Sequence, residues 1–287
     1  MVALERLGPD AGAGLTLDRL FALPHDSRFE GTTFVSVLVV DIGNTSTSLA
    51  LYNKGRVGRV VRMDSGETTA ARIRQRVRGL GGRRIIRGAM IASVVPRLDA
   101  VWNRTLSALV EGPVSFVHHR LKLGVEVRYP RPATIGADRL ANASGGIARY
   151  GRPLIVADFG TAVTFDIITK TAYEGGIIAP GLPLVFDYLA EKTAKLPRLR
   201  DVNARGPWGR STEQAMRLGA RWGYPGLVRG ILGELRKHPA LRRARVVVTG
   251  GHARLVASAL GHSAVVDPDL TLYGVGLIFE LNHGSTT

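Results

Sequence analysis

The sequence predicts an α/β fold made by duplication, in which two halves, each a mixed sheet flanked by helices, face one another across a central cleft. Three observations carry this expectation. Short apolar runs alternate with helix-period segments along most of the 287 residues, as layered α/β proteins require. The run Val37-Leu38-Val39-Val40 ends in Asp41-Ile42-Gly43, and the run Leu154-Ile155-Val156-Ala157 ends in Asp158-Phe159-Gly160. After each of these turns come two further strand-like segments, so one strand–turn–strand–turn–strand unit occurs twice, with Asp41 and Asp158 in equivalent places.

Residues 1–34 mix Gly, Pro, Asp and Leu without a sustained period and read as an N-terminal extension with at most a short helix around Leu15 to Leu23. The folded core is expected to begin near Phe34. Val37 to Val40 reads as a buried strand, Ser46 to Tyr52 as a second, and Arg56 to Arg62 as a third after a hairpin turn at Asn53-Lys54-Gly55. A helix from about Glu67 to Arg78, a strand from Met90 to Val95, a helix after Pro96 and a strand from Val114 to Val117 complete the first half. An amphipathic helix from Ala137 to Tyr150 leads into the second. Its strands are expected at Leu154 to Ala157, Val163 to Thr169 and Ala172 to Ala179. Helices then follow over Gly181 to Ala194 and Ser211 to Lys237, with a strand from Arg245 to Thr249. Gly250-Gly251 opens a helix to Leu260, and a last helix runs from Thr271 to Asn282. The segments are therefore 1–34, 35–145 and 146–287, the boundary falling in or just after the helix 137–150.

Composition narrows the function classes. Hydrophobic residues are 45% and charged residues 22%, the balance of folded rather than disordered chains. The absence of cysteine removes disulfides, thiolate nucleophiles and cysteine-ligated zinc, and suits a reducing compartment. No basic head with an apolar run opens the chain, and no stretch reaches the roughly 18 consecutive apolar residues of a membrane span. The expectation is a cytoplasmic enzyme. The net charge of +16 raises the question of nucleic acid, because cations gathered on one face release counterions at phosphates. Only six of the 39 basic residues are Lys, the Arg are spread along the chain, and the 6% of aromatic residues are not interleaved with the modest clusters at 72–87 and 235–245. A solvated basic surface is expected, without a base-stacking platform.

Chemistry points to phosphate. Backbone amides in an Asp-x-Gly turn form a concave cradle for phosphate oxygens, and glycine lets them approach closely. Thr45, Thr161 and Thr164 add hydroxyl donors, while Asp41 and Asp158 can face cations directly or through water. One such turn is often only a turn; its repetition favours a nucleotide triphosphate held between two similar halves. Gly250-Gly251, at a strand end, either bounds a strand-to-helix turn or lets a nucleoside lie flat on the chain. Gly136-Ala137-Asp138-Arg139 opens a helix, where Asp138 is either a favourable first-turn charge or, if it lies in the cleft, a base for a substrate hydroxyl with Arg139 pairing an anionic group. The histidines are scattered or, as with His118 and His119, adjacent, so they make no two-ligand metal face. Neither a Walker phosphate loop nor a Gly-x-Gly-x-x-Gly fingerprint follows a strand.

In order, these segments resemble the motifs of type III pantothenate kinases, members of the acetate and sugar kinase, Hsc70 and actin superfamily. The similarity runs from about Val37 to Asn282. It rests on Asp41-Ile42-Gly43-Asn44-Thr45, Tyr129-Pro130 leading into Gly136-Ala137-Asp138-Arg139, Asp158-Phe159-Gly160-Thr161-Ala162-Val163-Thr164, Gly175-Gly176 to Pro180-Gly181, Ser211-Thr212 and Thr249-Gly250-Gly251. The resemblance implies a duplicated actin-like, ribonuclease H-like fold and ATP-dependent phosphorylation of pantothenate to 4'-phosphopantothenate, the first step of coenzyme A biosynthesis. It implies that Asp41, Ile42, Gly43, Asn44, Thr45, Ser46, Thr47, Ser48 and Thr161 contact the ATP phosphates, with magnesium, and that Gly250 and Gly251 lie near the adenosine. Asp138 is then the general base, and Tyr129, Gly136, Ala137, Asp138, Arg139 and Thr212 hold pantothenate. Asp158 binds a monovalent cation, potassium or ammonium, and the protein is a homodimer with these sites near the subunit interface. Residues 1–34 have no family counterpart, and the basic surface is not a family requirement. Two other readings share the fold: a kinase or phosphatase with another substrate, and a non-catalytic regulatory accessory factor.

Overall fold

The first strand, β1 (Ser36–Ile42), is apolar along nearly its whole length because it lies in mid-sheet with both faces covered. It pairs antiparallel with β2 (Ser46–Asn53) and parallel with β5 (Ile86–Ser93). The computed structural model describes residues 36–81, 85–260 and 264–284; the extension 1–34, with its expected helix, lies outside them. The first sheet runs β3-β2-β1-β5-β6, with β3 (Arg56–Val57) and β4 (Val61–Asp64) both on β2, and β6 (Val114–Phe116) at the other edge.

The second sheet repeats that order. Its strands are β7 (Glu126–Val127), β8 (Leu154–Phe159), β9 (Ala162–Ile168), β10 (Ala172–Pro180), β11 (Arg245–Thr249) and β12 (Ala264–Val266), arranged β12-β11-β8-β9-β10-β7. Strand β8 is antiparallel to β9 and parallel to β11, as β1 is to β2 and β5. The equivalence extends to single residues: Asp41 lies opposite Ser48 and Ala92, and Asp158 opposite Thr164 and Thr249.

Seven helices cover the sheets among the described residues: α1 (Ala70–Gly81), α2 (Pro96–Ser107), α3 (Ala137–Tyr150), α4 (Leu182–Lys192), α5 (Thr212–Lys237), α6 (Ala253–Leu260) and α7 (Leu270–His283). Strand alternation assigns the faces. Leu38 and Val40 pack with Ile73, Val77, Leu98 and Trp102 of α1 and α2, whereas Val37 and Val39 face α3 and α7. In the second sheet Ile155 and Ala157 pack with Phe186, Val228 and Val256 of α4, α5 and α6, whereas Leu154 and Val156 join the α3–α7 core. One shared core thus ties the inner faces together, and α7 packs on α3, β1 and β5. The two helices meet backbone to backbone: a β-carbon on Gly274 would lie only 1.9 Å from the Ala141 carbonyl oxygen, a separation open to glycine alone.

Most differences from the sequence expectation are at boundaries. The single strand expected over 56–62 is two, because the chain leaves the ladder at Gly58, whose amide donates to the Leu51 carbonyl at 2.8 Å. The helix expected from Glu67 starts at Ala70, since residues 65–67 form a 3-10 turn with the Asp64 carboxylate accepting from the Gly66 amide at 2.7 Å. Strand β5 spans 86–93 rather than 90–95; Val94 bends away to donate its amide to the Ile42 carbonyl. Edge strands β7 and β12 were not expected: each is two or three residues long, too short to show a period.

Candidate active site

Strand parity aims the two key carboxylates. Asp41 continues the series Val37, Val39, and Asp158 the series Leu154, Val156, so both leave their strands on the inner side, at the carboxyl ends where ligands gather in such sheets. Helix α3 begins between them and carries Asp138 in its first turn, with Gly136 as the N-cap. The three carboxylates line one cleft of about 350 Å³ with Thr45, Thr161 and Gly250, large enough for part of a nucleotide.

The two Asp-x-Gly turns touch across this cleft, with Thr45 Oγ1 2.9 Å from Thr161 Oγ1. Each is closed by one backbone bond, from the Gly43 amide to the Ser46 carbonyl and from the Gly160 amide to the Ala162 carbonyl, both 3.1 Å. The second turn is therefore one residue shorter. The first is also held from behind: Ser65 Oγ donates to the Gly43 carbonyl at 2.7 Å, and Thr47 Oγ1 is 2.9 Å from Ser65 Oγ.

Negative charge is crowded here. Burial raises Asp41 well above the usual carboxylate range, Asp138 and Asp158 add to the rise, and only Arg62 opposes it. Burial likewise raises Asp138, against the pull of the Arg139 amide, which donates to Asp138 Oδ1 at 2.8 Å. Asp158 is pushed up to about 6, by burial first, although Asn142 donates to it. Among the described residues no three His, Cys, Asp or Glu converge to hold a metal ion by themselves. The donor set instead fits a cation that arrives with phosphate oxygens and water and needs one or two carboxylates from the protein. Such a cation relieves the repulsion from neighbouring carboxylates that adds to the effect of burial on Asp41 and Asp158.

Of the residues singled out in the sequence, Asp41, Gly43, Asn44, Thr45, Ser46, Ser48, Asp138, Asp158, Thr161, Thr164, Gly250 and Gly251 line the cleft. Ile42 and Thr47 are fully buried behind it. A second group gathers on β10: Tyr129 packs on Gly175, whose φ is +123°, and a β-carbon on Gly176 would lie 2.4 Å from an Arg139 guanidinium nitrogen. Arg139 is buried, its Nε donating to Asp166 Oδ1 at 2.7 Å while the Tyr173 hydroxyl donates to the same oxygen at 2.9 Å. Gly136 and Ala137 join this group to Asp138 along the chain, and Thr212 is exposed in the first turn of α5.

Sequence reasoning missed Arg62, Thr271 and Leu272 in the cleft wall, where Thr249 of the third glycine motif also lies, and Asn142 and Asp166 behind it. Asn142 had a signal, because it stands four residues after Asp138 on one helix face. Asp166 had another, as a lone carboxylate in the apolar strand β9. Arg62 depends on the register of β4, and Thr271 on where α7 returns, which no local pattern shows. A larger hollow of about 1360 Å³ lies at the other end of the second sheet, around the β9–β10 hairpin and the end of α5, and holds none of these residues.

Comparison with known proteins agrees with this geometry. The family described as type III pantothenate kinase matches residues 37–234. A type III pantothenate kinase from Akkermansia muciniphila is 46% identical over 195 residues, covering 68% of this chain and 78% of its own. One from Methylacidiphilum infernorum is 35% identical over 247 residues, covering 85% and 88%. Among solved structures, a Campylobacter jejuni protein described as a Baf family transcriptional activator is 18% identical with a TM-score of 0.53, covering 85% of this chain and 98% of its own. The ethanolamine utilization protein EutJ from Carboxydothermus hydrogenoformans is 16% identical with a TM-score of 0.52, covering 85% and 89%. These two share the fold, the duplicated actin-like arrangement. The chain belongs to the type III pantothenate kinase family.

Proposed function

We propose that the protein transfers the terminal phosphoryl group of ATP to the hydroxyl of pantothenate, giving 4'-phosphopantothenate and ADP, the first step of coenzyme A biosynthesis. The observation that carries this reading is the convergence of Asp41, Asp138 and Asp158 on one cleft between the two Asp-x-Gly turns. Family membership supplies the acceptor.

The hydroxyls of Thr45, Ser46, Thr161 and Thr164 and the turn amides hold the phosphates, and Gly250 with Gly251 leaves room for the adenosine. Asp138 takes the hydroxyl proton as the acceptor oxygen bonds to the terminal phosphorus and the bond from that phosphorus to the bridging oxygen breaks, leaving ADP. The transition state is loose, so orientation and charge neutralisation do most of the work and the base acts late. Magnesium, when bound with ATP, neutralises charge on the phosphates. Asp41 would hold it directly or through water, and Asp158 would hold a monovalent cation, potassium or ammonium. Tyr129, Gly136, Ala137 and Arg139 hold pantothenate beside Asp138, Arg139 supplying the charge for its carboxylate, with Thr212 as a further contact.

The same reading carries a homodimer. Ile178, Leu184, Tyr188, Trp222 and Leu227 are exposed apolar residues on β10, α4 and α5, of the kind a second copy covers. It also carries a cytoplasmic location; no helix among the described residues is long and apolar enough to cross a membrane.

The test is ATP consumption with pantothenate, glycerol, acetate and glucose offered separately. Turnover with pantothenate alone is expected, and equal turnover of all four rejects the assignment.

A further inference from the structure

Asn142 is fully buried and bridges three elements through its amide. Its Nδ2 donates to Asp158 Oδ2 at 2.9 Å, and its Oδ1 accepts from Thr271 Oγ1 at 2.8 Å. The senses of these bonds follow from chemistry. An ionised carboxylate only accepts, so the NH₂ end of the amide must face Asp158, and the carbonyl end must then face the Thr271 hydroxyl, which donates. The two carboxylate oxygens of Asp158 are thereby made unequal. Oδ2 is taken by the buried amide; Oδ1 lies on the Gly250 side, where a β-carbon would come within 2.5 Å of it. Asn142 also stands one turn, about 6 Å of helix rise, beyond Asp138 on the same face of α3. One helix face therefore supplies both the proposed base and the hand that holds the proposed cation carboxylate.

We propose that Asn142 is a positioning residue: it locks the rotamer of Asp158 so that Oδ1 is presented to the cleft for the monovalent cation, and Thr271, from α7, holds the Asn142 amide in the required sense. The proposal rests on the reading of Asp158 as a cation-facing carboxylate. Without the amide donor, Asp158 can rotate, and the cation loses a ligand fixed in advance; supporting groups of this kind commonly change metal affinity by about 10- to 100-fold. The loss falls on cation binding rather than on the acceptor side, because neither bond of Asn142 reaches Arg139 or Tyr129.

The experiment is calorimetric titration of ATP with magnesium into the full chain, in potassium and in sodium buffer, alongside the potassium dependence of turnover. Wild type is expected to bind ATP more tightly in potassium. Asn142→Leu is expected to lose most of that difference and to raise the half-saturating potassium concentration about tenfold, with KM for pantothenate and kcat at saturating potassium within about threefold of wild type. Thr271→Val, which keeps the side-chain shape and cannot donate, is expected to shift the potassium dependence in the same direction and provides the test if Asn142→Leu fails to fold. A potassium-sensitive wild type whose two variants keep full sensitivity overturns the role of Asn142. A wild type that phosphorylates pantothenate but is indifferent to potassium overturns the cation reading of Asp158 and this inference with it, leaving the kinase assignment standing. Parallel losses in KM for pantothenate and in potassium affinity also overturn it, since they mark a general loosening of α3.

Discussion

Gly250 gives the sharpest structural prediction. It has φ of +88°, and a β-carbon there would lie 2.5 Å from Asp158 Oδ1 and 2.7 Å from the backbone nitrogen and carbonyl carbon of Phe159. Gly250→Ala is therefore penalised twice. The left-handed conformation costs an L-residue about 1–2 kcal/mol, and forcing a methyl group into packed surroundings costs about 1–3 kcal/mol more. Two of the three crowded atoms are backbone, so relief requires displacing the end of β8, and Asp158 with it. A combined loss of about 2–5 kcal/mol, with a urea m-value of about 3 kcal/mol/M, lowers the unfolding midpoint by about 0.7–1.7 M. If about 1.4 kcal/mol of that strain is felt in the cleft, ATP affinity falls about tenfold. Gly251→Ala is the control: its β-carbon would meet nothing within 4 Å, and its stability should stay within about 0.5 kcal/mol of wild type. Urea denaturation of both variants and ATP titration of Gly250→Ala make the comparison. A Gly250→Ala protein that unfolds and binds ATP like wild type would refute the close approach of Gly250 to Asp158.

Asp138→Asn should lower turnover about 100-fold or more while ATP affinity changes little; unchanged single-turnover rates with pantothenate would remove Asp138 from its role as base. The raised carboxylates make a pH prediction for the ligand-free protein. Burial lifts Asp158 to about 6, above its unfolded value near 3.9, so the stabilising contribution of its protonated form is complete below about pH 4 and is lost as pH rises through about 6. Between pH 4 and 7 wild type should lose on the order of 2 kcal/mol relative to Asp158→Asn, measured by urea denaturation at each pH, and identical pH slopes for the two proteins would contradict it. Leu227→Glu puts a charge at an exposed apolar position of α5 and should convert the proposed dimer to monomer in sedimentation analysis; a dimer that persists in the variant would move the proposed interface elsewhere.

The local reading succeeded where neighbours within a few residues decide conformation. Val37 to Val40 and Leu154 to Ala157 read as strands because each is apolar on both faces, and the Asp-x-Gly turns because glycine and the short polar residues after it break the strand. It placed α5 and α7 to within a residue, helped by Ser211, whose Oγ accepts from the Gln214 amide as an N-cap. It erred at Gly58 and Val94, where one backbone hydrogen bond, to the Leu51 and the Ile42 carbonyl respectively, ends a strand. For the site, the carboxylates Asp41, Asp138 and Asp158 were legible as types at strand and helix ends. Their supports were legible only as polar residues at telling positions, Asp166 in an apolar strand and Asn142 one turn after Asp138; that they hold Arg139 and Asp158 is set by the fold.

The amino-acid order by itself determined the duplicated strand pattern, the two phosphate-type turns and the helix that begins at Gly136-Ala137-Asp138. Those features depend on periodicity and turn chemistry, which act over a few residues. Tertiary structure alone decided that the inner faces of both sheets close on α3 and α7, and that Thr271 reaches Asn142 across 129 positions of sequence. It also decided that Arg139 turns inward to Asp166. Such pairings are set by which packing of the whole core leaves the fewest voids and unpaired polar groups, a competition among distant segments that no short stretch of chain encodes.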